Sequence, residues 1–336
     1  MNSFGRIFRL NIFGESHGQA VGITIDGCPP GIALTEEDFV TDLERRKGGT
    51  QKGTTTRKEE DIPVFLSGVF NNFTTGSPLT ITFPNTNIRS ADYEKQRAVP
   101  RPGHADFVAS RKFNGFEDYR GGGHFSGRLT ACLVAAGVVA KKILSVSKTG
   151  NNIIINSKLV EAGGQADIEK AIEKAIESGD SIGGIVACKV SGIPIGWGEP
   201  FFDSAESMIS HAVFSIPAIK GIEFGDGFAA ARMTGSEHND AFENGEGRMM
   251  SNHAGGISGG ITNGNDLEFR VVVKPTSSTP KEQKTYNKET DQVESFSVKG
   301  RHDLCIALRV PVVLEAVTAI VLTDLAMIES GRGLSF

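Results

Sequence analysis

The sequence predicts an α+β fold in which buried helices pack against antiparallel sheets. Strand-like and helix-like segments alternate irregularly, without a repeated βαβ unit with short connections. Two segments, 127–145 and 312–329, are apolar on most faces and are therefore predicted as buried helices. No linker divides the 336 residues, so we expect a single domain over 1–336, although the length would allow two.

In the first part of the chain, runs of β-branched and aromatic residues predict strands at residues 10–13, 21–25, 64–69 and 79–83. A helix is predicted after Thr35, because Thr35-Glu36-Glu37-Asp38 is a capping-box pattern, and Gly48-Gly49 would end it. Residues 48–61 and 93–119 lack periodicity and are predicted as loops. Loops of such length inside a compact domain are usually functional.

In the second part, strands are predicted at 153–156, 185–190 and 269–273, and helices at 167–177, 203–214 and 312–329. Residues 225–264 are glycine-rich and are predicted to be irregular. Gly123 to Val139 and Gly300 to Val317 both place a loop with Arg and His before a buried helix. This repeated pattern suggests that the chain has two pseudo-equivalent halves.

Composition excludes several classes of protein. The chain has 35 basic and 40 acidic residues, a net charge of −5, which argues against broad nucleic-acid binding. Its 41 glycines show no G-x-y period, so collagen is excluded. Four widely separated cysteines encode neither a disulfide framework nor a zinc site.

We expect a cytoplasmic protein with no membrane segment. The best apolar stretch, Leu133 to Ala140, is far shorter than the ~20 residues of a span, and Arg6 and Arg9 interrupt any signal peptide.

The first motif is Gly14-Glu15-Ser16-His17-Gly18, which fits the G-x-S-x-G pattern of serine hydrolases. That pattern needs a strand, a turn and a helix, whereas residues 19–26 are predicted as a strand. A serine hydrolase using Ser16 therefore remains only as the alternative function. His17 could instead donate a proton from a rigid hairpin.

The second motif is a basic run from Arg45 to Lys58, which includes Arg46 and Lys52. Such runs are usually solvated surface. Because the positive charge is local, the run favours a small anionic ligand over nucleic acid, although a nucleotide- or RNA-binding protein stays open as a third hypothesis.

Further segments combine cations, imidazoles and glycines. They are Arg101-Pro102-Gly103-His104-Ala105-Asp106, Gly121 to Arg128, Ser251 to Gly256, Lys274 to Ser278, and Arg301-His302-Asp303. Glycine-rich loops before helices suit phosphate, and a lysine with three hydroxyls suits the same group. The His, Asp and Glu residues show no convincing metal spacing.

These segments, in this order and together with Asp26-Gly27 and Gly225-Asp226-Gly227-Phe228, resemble the chorismate synthase family. The resemblance spans nearly the whole chain. It implies a lyase that converts 5-enolpyruvylshikimate 3-phosphate to chorismate and phosphate by anti-1,4 elimination, the last step of the shikimate pathway. It also implies a requirement for reduced FMN, a β-α-β sandwich with pseudo-twofold halves, and a homotetramer.

The resemblance also implies residue roles. His17 would protonate the leaving phosphate, His104 would support the reduced anionic flavin, and Asp303 would assist removal of the C6 proton through the flavin N5. The implied FMN contacts are His124, Phe125, Ser126, His238, Asn239, Gly259, Lys274, Pro275, Thr276, Ser277, Ser278 and Arg301.

The implied substrate or reductant contacts are Arg46, Lys52, Arg101 and Arg128, of which Arg46 and Lys52 are associated with NADPH in the family. The chain departs from the family at His124-Phe125-Ser126-Gly127, where Arg-Ser-Ser-Ala is common, and at Lys52, where many members have Arg. With no G-x-G-x-x-G unit between a strand and a helix, the sequence favours external reduction of the flavin.

Overall fold

The computed structural model describes residues 2–49, 51–55, 59–86, 97–298 and 302–331. The first large sheet is antiparallel and five-stranded, in the order β1-β2-β3-β7-β4. Its strands are β1 (Ser3–Phe4), β2 (Arg9–Gly14), β3 (Ala20–Asp26), β4 (Val64–Ser67) and β7 (Leu79–Pro84). Buried Ile23 pairs with Ile81 across β3 and β7, which fixes the register by core packing.

The second large sheet is antiparallel and four-stranded, in the order β10-β13-β9-β8. Its strands are β8 (Ile154–Ala162), β9 (Gly184–Ser191), β10 (Ile219–Phe224) and β13 (Leu267–Val273). Three short pairs complete the strands of the described residues: β5 (Val69–Phe70) with β6 (Phe73–Thr74), β11 (Ile257–Ser258) with β12 (Ile261–Thr262), and β14 (Gln283–Asn287) with β15 (Gln292–Phe296).

The α-helices are α1 (Val40–Arg46), α2 (Asp106–Lys112), α3 (Thr130–Val146), α4 (Ile168–Ser178), α5 (Ala205–Val213), α6 (Gly235–His238) and α7 (Val310–Gly331). Helix α3 contacts β3 and β7, helix α7 contacts β8 and β9, and the two helices contact each other. Their close approach depends on Gly137, since a Cβ atom there would lie 2.3 Å from the Cβ of Ala316. Helices packed on antiparallel sheets make this an α+β fold, as the sequence predicts.

Buried carboxylates tie α7 to its surroundings. Asp324 is fully buried and accepts hydrogen bonds from the backbone N–H groups of Ile7 at 2.8 Å and Phe8 at 2.9 Å. Glu315 is 3% exposed and accepts two hydrogen bonds from Arg45, at 2.6 and 2.7 Å. Satisfied charges of this kind anchor an apolar helix in one position.

Helices α3 and α7, with the turns that precede them, are long and apolar enough to cross a bilayer by length and composition. This corrects the expectation that no stretch is long enough. The apolar windows of residues 120–146 and 306–331 are, however, 72% and 78% buried inside the protein, as core helices are.

The loop prediction for residues 93–119 was wrong in part, because α2 lies inside it; residues 93–96 lie outside the described residues. Strand β10 and the β14–β15 hairpin were not predicted. The hairpin strands are polar and partly exposed, so they lack apolar alternation, whereas in β10 the alternation is interrupted at Gly221, where the register shifts.

Candidate active site

A cavity of about 560 Å³ opens where the loops that follow the sheets converge. Its walls contain most of the predicted site residues. The predicted site residues that line it are Arg46, Arg101, His104, His124, Phe125, Ser126, Arg128, Lys274, Pro275, Thr276, Ser277, Ser278 and Asp303.

The glycine-rich loop at residues 121–123 forms one wall. Gly121, Gly122 and Gly123 have φ of +59°, +84° and +53°, a region that residues with a Cβ rarely adopt. A Cβ on Gly121 would lie 2.2 Å from the His17 ring, and one on Gly122 would lie 3.2 Å from the His104 ring. The loop therefore needs glycine so that its backbone can lie against both imidazoles.

Ser16 and His17 occupy the turn between β2 and β3, so the G-x-S-x-G segment connects two strands. Ser16 is fully buried, and its hydroxyl lies 3.1 Å from His17 Nδ1 and 3.1 Å from the carbonyl oxygen of Gly121. An elbow nucleophile must be exposed at the start of a helix. The serine hydrolase alternative is not supported.

The loop at residues 101–106 is closed by one carboxylate. Asp106 accepts hydrogen bonds from Arg101 Nε at 2.7 Å and Arg101 Nη2 at 2.9 Å, and His104 Nδ1 lies 2.5 Å from its Oδ1. Burial acts to raise the pKa of Asp106, but Arg101 and His104 outweigh it and hold that pKa below its usual range. Asp106 is thus ionised.

A second buried carboxylate lies between two arginines. Asp61 forms ion pairs with Arg46 and Arg128, and all three residues are buried. Burial acts to raise the pKa of Asp61, but the two guanidinium groups together lower it. One carboxylate is therefore shared by two guanidinium groups, both of which line the cavity.

Asp303 is 9% exposed and has both carboxylate oxygens engaged. Oδ1 accepts from the backbone N–H of Thr55 at 2.9 Å, and Oδ2 accepts from Arg309 Nη1 at 2.8 Å. Arg309 also lines the cavity, and sequence reasoning missed it because it lies at the start of an apolar helix. The predicted flavin contact Arg301 lies outside the described residues.

The segment from Lys274 to Ser278 follows β13 and faces the loop at 101–106. Lys274 Nζ donates to the carbonyl of Gly103 at 2.5 Å and to Ser277 Oγ at 3.0 Å. Partial burial and the nearby charge of Lys220 lower the pKa of Lys274. The segment 214–219 also lines the cavity. The sequence did not indicate this segment as part of the site, because it shows only the end of the predicted helix 203–214.

Five predicted site residues are not among the described cavity-lining residues. His17 is 4% exposed and lies behind Gly121, and exposed Lys52 pairs with Glu173 at 3.0 Å. His238 ends α6 with its ring 5.9 Å from that of His253, Asn239 follows it, and Gly259 lies in the turn between β11 and β12. Their roles stay predictions.

The cavity residues fit a phosphate-bearing cofactor such as FMN. Thr276 Oγ1 is buried and has no hydrogen-bond partner among the described residues. An oxygen atom of a bound ligand would supply that partner. Arg46 Nε is likewise buried and unpaired within the described part of the chain. A lysine, serine hydroxyls and an unsatisfied hydroxyl together form a suitable phosphate cradle.

Comparisons with known proteins agree with this chemistry. The sequence model of the family described as chorismate synthase matches residues 8–327. A chorismate synthase of Chitinophaga pinensis is 68% identical over 98% of this chain and 97% of its own length. One of Dehalococcoides mccartyi is 43% identical, over 97% of this chain and 96% of its own length.

Among solved structures, one titled "Crystal Structure of Chorismate Synthase" matches with a TM-score of 0.74 at 28% identity, covering 97% of this chain and 93% of that chain. Family match, close relatives, fold and cavity chemistry point the same way: the chain belongs to the chorismate synthase family.

Proposed function

We propose that the cavity binds 5-enolpyruvylshikimate 3-phosphate together with reduced FMN and releases chorismate and phosphate. The chain is a lyase of the chorismate synthase family, and the reaction is an anti-1,4 elimination that completes the shikimate pathway. The observation that carries the site assignment is the convergence of four arginines, Asp303 and His104 on one cavity, with Asp61 and Asp106 paired to three of those arginines. The arginines are Arg46, Arg101, Arg128 and Arg309.

The charges of the cavity suit this substrate. The substrate carries a phosphate and two carboxylates, and arginine binds such groups through paired N–H donors. Arg46 and Arg128 share one carboxylate, so their remaining charge is available to an anion. Binding displaces water from buried guanidinium groups and strengthens these interactions.

The flavin would lie against another part of the cavity wall. We propose that Lys274, Pro275, Thr276, Ser277 and Ser278 hold the FMN phosphate, with His124, Phe125 and Ser126 beside the ring through backbone contacts. When bound, reduced FMN supplies electron density to the substrate without net redox change. His238, Asn239, Gly259 and Arg301 remain proposed FMN contacts, and Lys52 a proposed contact of the reductant.

The proton-handling roles follow from position and pairing. We propose that His17 protonates the leaving phosphate, since its ring packs directly on Gly121 of the cavity wall. Asp303 assists removal of the C6 proton, with Thr55 and Arg309 holding its carboxylate in place. His104 presents its ring edge beside Gly122 and stabilises the anionic cofactor.

We also propose the finer architecture. Helices α3 and α7 would form the middle layer of a β-α-β sandwich, in one domain over 1–336, with α3 and its sheet related to α7 and its sheet by a pseudo-twofold axis. Each helix is preceded by a short 3-10 turn and packs on a different sheet, which supports this arrangement.

A homotetramer is proposed from the family and from exposed aromatic side chains. Phe201 and Phe202, which are adjacent in sequence, are 87% and 92% exposed, and adjacent exposed aromatic side chains can mark a protein contact. We also propose a cytoplasmic location and external reduction of the flavin. Native mass spectrometry tests the tetramer, and a monomer at micromolar concentration would contradict it.

Anaerobic turnover tests the function. The protein is mixed with 5-enolpyruvylshikimate 3-phosphate and dithionite-reduced FMN, and chorismate and phosphate are quantified together. We expect equal amounts of both, none with oxidised FMN, and none with FMN and NADPH. Product in the NADPH reaction would contradict external reduction alone. Phosphate without chorismate, or no product from folded protein that binds FMN, would contradict the proposed reaction.

A further inference from the structure

We propose that Asp106 is a positioning residue that fixes both Arg101 and His104 for the lyase reaction. The proposal rests on the proposed function of the cavity. The resemblance to the family implies no role for Asp106. Within the described residues, Asp106 is the carboxylate that pairs with both Arg101 and His104.

The carboxylate of Asp106 contacts the side chain and backbone of Arg101 and the ring of His104. Oδ2 accepts from Arg101 Nε at 2.7 Å and from the Arg101 backbone N–H at 3.1 Å, and Oδ1 accepts from Arg101 Nη2 at 2.9 Å. His104 Nδ1 lies 2.5 Å from the same Oδ1. The bidentate pairing fixes the plane of the guanidinium, which a single contact would leave free to rotate.

The remaining arginine donor reaches the proposed flavin segment. Arg101 Nη1 donates to Ser278 Oγ at 3.1 Å, and the Gly103 carbonyl accepts from Lys274 and from Ser277 at 2.8 Å. The loop at 101–106 and the segment at 274–278 are thus joined by three hydrogen bonds. Asp106 therefore acts on the flavin segment as well, through the guanidinium it holds.

The histidine contact has a definite consequence for the proton position. A carboxylate acceptor at Nδ1 places the imidazole proton on that nitrogen, so Nε2 is the nitrogen presented beside Gly122. A small cavity lined by His104 and Asp106 is also lined by charged residues of other elements, namely Arg97, Glu117, Asp118 and Lys288. Asp106 is the carboxylate in ion-pair contact with His104 within the described residues. Arg101 Nη2 also lies 3.0 Å from Nδ1 and 3.2 Å from Nε2 of His104, and an Nδ1 that donates to Asp106 leaves Nε2 as the acceptor for that arginine N–H.

The test compares Asp106→Asn and Asp106→Glu with wild type. Asn keeps the size but can turn its NH2 group towards Nδ1, whereas Glu keeps the charge. Because misplacement by about 1 Å can cost about 100-fold in rate, we expect Asp106→Asn to lower kcat at least 10-fold and raise KM for the substrate. Asp106→Glu should recover part of the kcat.

A matched control is available. Asp42 has a side chain 14% exposed, against 13% for Asp106, and also pairs with an arginine and a second cation, Arg45 and Lys141. It does not line the cavity within the described chain. Asp42→Asn should therefore leave kcat and KM unchanged, while an equal loss in both variants would make the effect of Asp106 merely structural and overturn the proposal.

A second readout does not depend on turnover. Nitrogen-15 NMR of the side chain of His104, assigned with His104→Gln, reports which ring nitrogen carries the proton. We expect the Nδ1-protonated form in wild type and a shift of this signal in Asp106→Asn. An Nε2-protonated form in wild type, or unchanged NMR and kcat in folded Asp106→Asn, would overturn the proposal.

The two readouts also separate the hypotheses. If wild-type protein made no chorismate but showed the expected NMR signals, the proposed function would fail, while the contact by which Asp106 orients His104 would stand. If chorismate formed with wild-type kcat in folded Asp106→Asn, the function would stand and the positioning role would fail.

Discussion

Arg309 donates from Nη1 to Oδ2 of Asp303 at 2.8 Å, so the first turn preceding helix α7 fixes the proposed proton acceptor. Arg309 Nε also donates to the backbone carbonyl of Arg46 at 2.8 Å. One guanidinium therefore joins the end of α1 to the loop before α7. It connects the proposed substrate-binding side of the cavity to the proposed base.

Asp303→Asn tests the base. The amide keeps the shape of the carboxylate but cannot accept the proton, and general-base contributions are about 10²–10⁴-fold. We expect kcat for chorismate to fall by that amount while FMN affinity, measured by fluorescence titration, stays within about twofold. Glu223→Gln is the control, because Glu223 also pairs with an arginine, Arg270, but does not line the cavity within the described residues. A kcat near wild type in Asp303→Asn would contradict the assignment.

His17→Ala tests the proton donor. The His17 ring packs on Gly121 from behind the cavity wall, so its loss should lower turnover by about 10²–10⁴-fold without a change in fold. Steady-state kinetics and circular dichroism check both. The control is His211→Gln, because His211 contacts only the edge of Phe4 among described aromatic rings. Equal turnover of His17→Ala and wild type would contradict the role.

Ionisation of Asp61 makes stability depend on pH. Its pKa is lower in the folded chain, so its stabilisation is present above the unfolded value of about 4 and is lost as pH falls through the folded value. Breaking such a buried pair costs about 3–5 kcal/mol. Urea unfolding should show that deficit for Asp61→Asn near pH 7, shrinking below pH ~4. A pH-independent deficit would contradict this reasoning.

The cysteines should be unreactive in the folded protein. Burial raises the pKa of Cys28 to about 11 and the pKa of Cys132 and Cys188 to about 12, and Cys305 is also buried with a raised pKa. Because the thiolate is the reactive form, a thiol reagent at pH 8 should label none before unfolding and all four after it in guanidinium. Rapid labelling of native protein would refute this expectation.

Gly137→Ala tests the helix crossing. The added methyl would lie 2.3 Å from the Cβ of Ala316, and overpacking of a core costs about 1–3 kcal/mol. We expect a lower thermal midpoint and a lower free energy of unfolding. Gly245→Ala meets nothing within 4 Å and should change neither quantity. Unchanged stability of Gly137→Ala would mean that the helices separate without cost.

The sequence by itself determined the local elements and the family. Strands β2, β3, β7 and β9 lie within about one residue of their predicted bounds, because alternation and turn residues act locally. Helix α7 was predicted two residues short at each end, since apolar composition marks a helix better than its limits. The ordered motifs were enough to indicate chorismate synthase chemistry.

Tertiary structure alone decided how the charges pair. Asp61 is distant in sequence from Arg128, and Thr55 from Asp303, so neither contact has a local signal. Gly137 reads as an ordinary residue of an apolar helix until Ala316 is packed against it. Composition and periodicity report the burial of one segment at a time, whereas partners far apart in sequence are chosen by the packing of the whole chain.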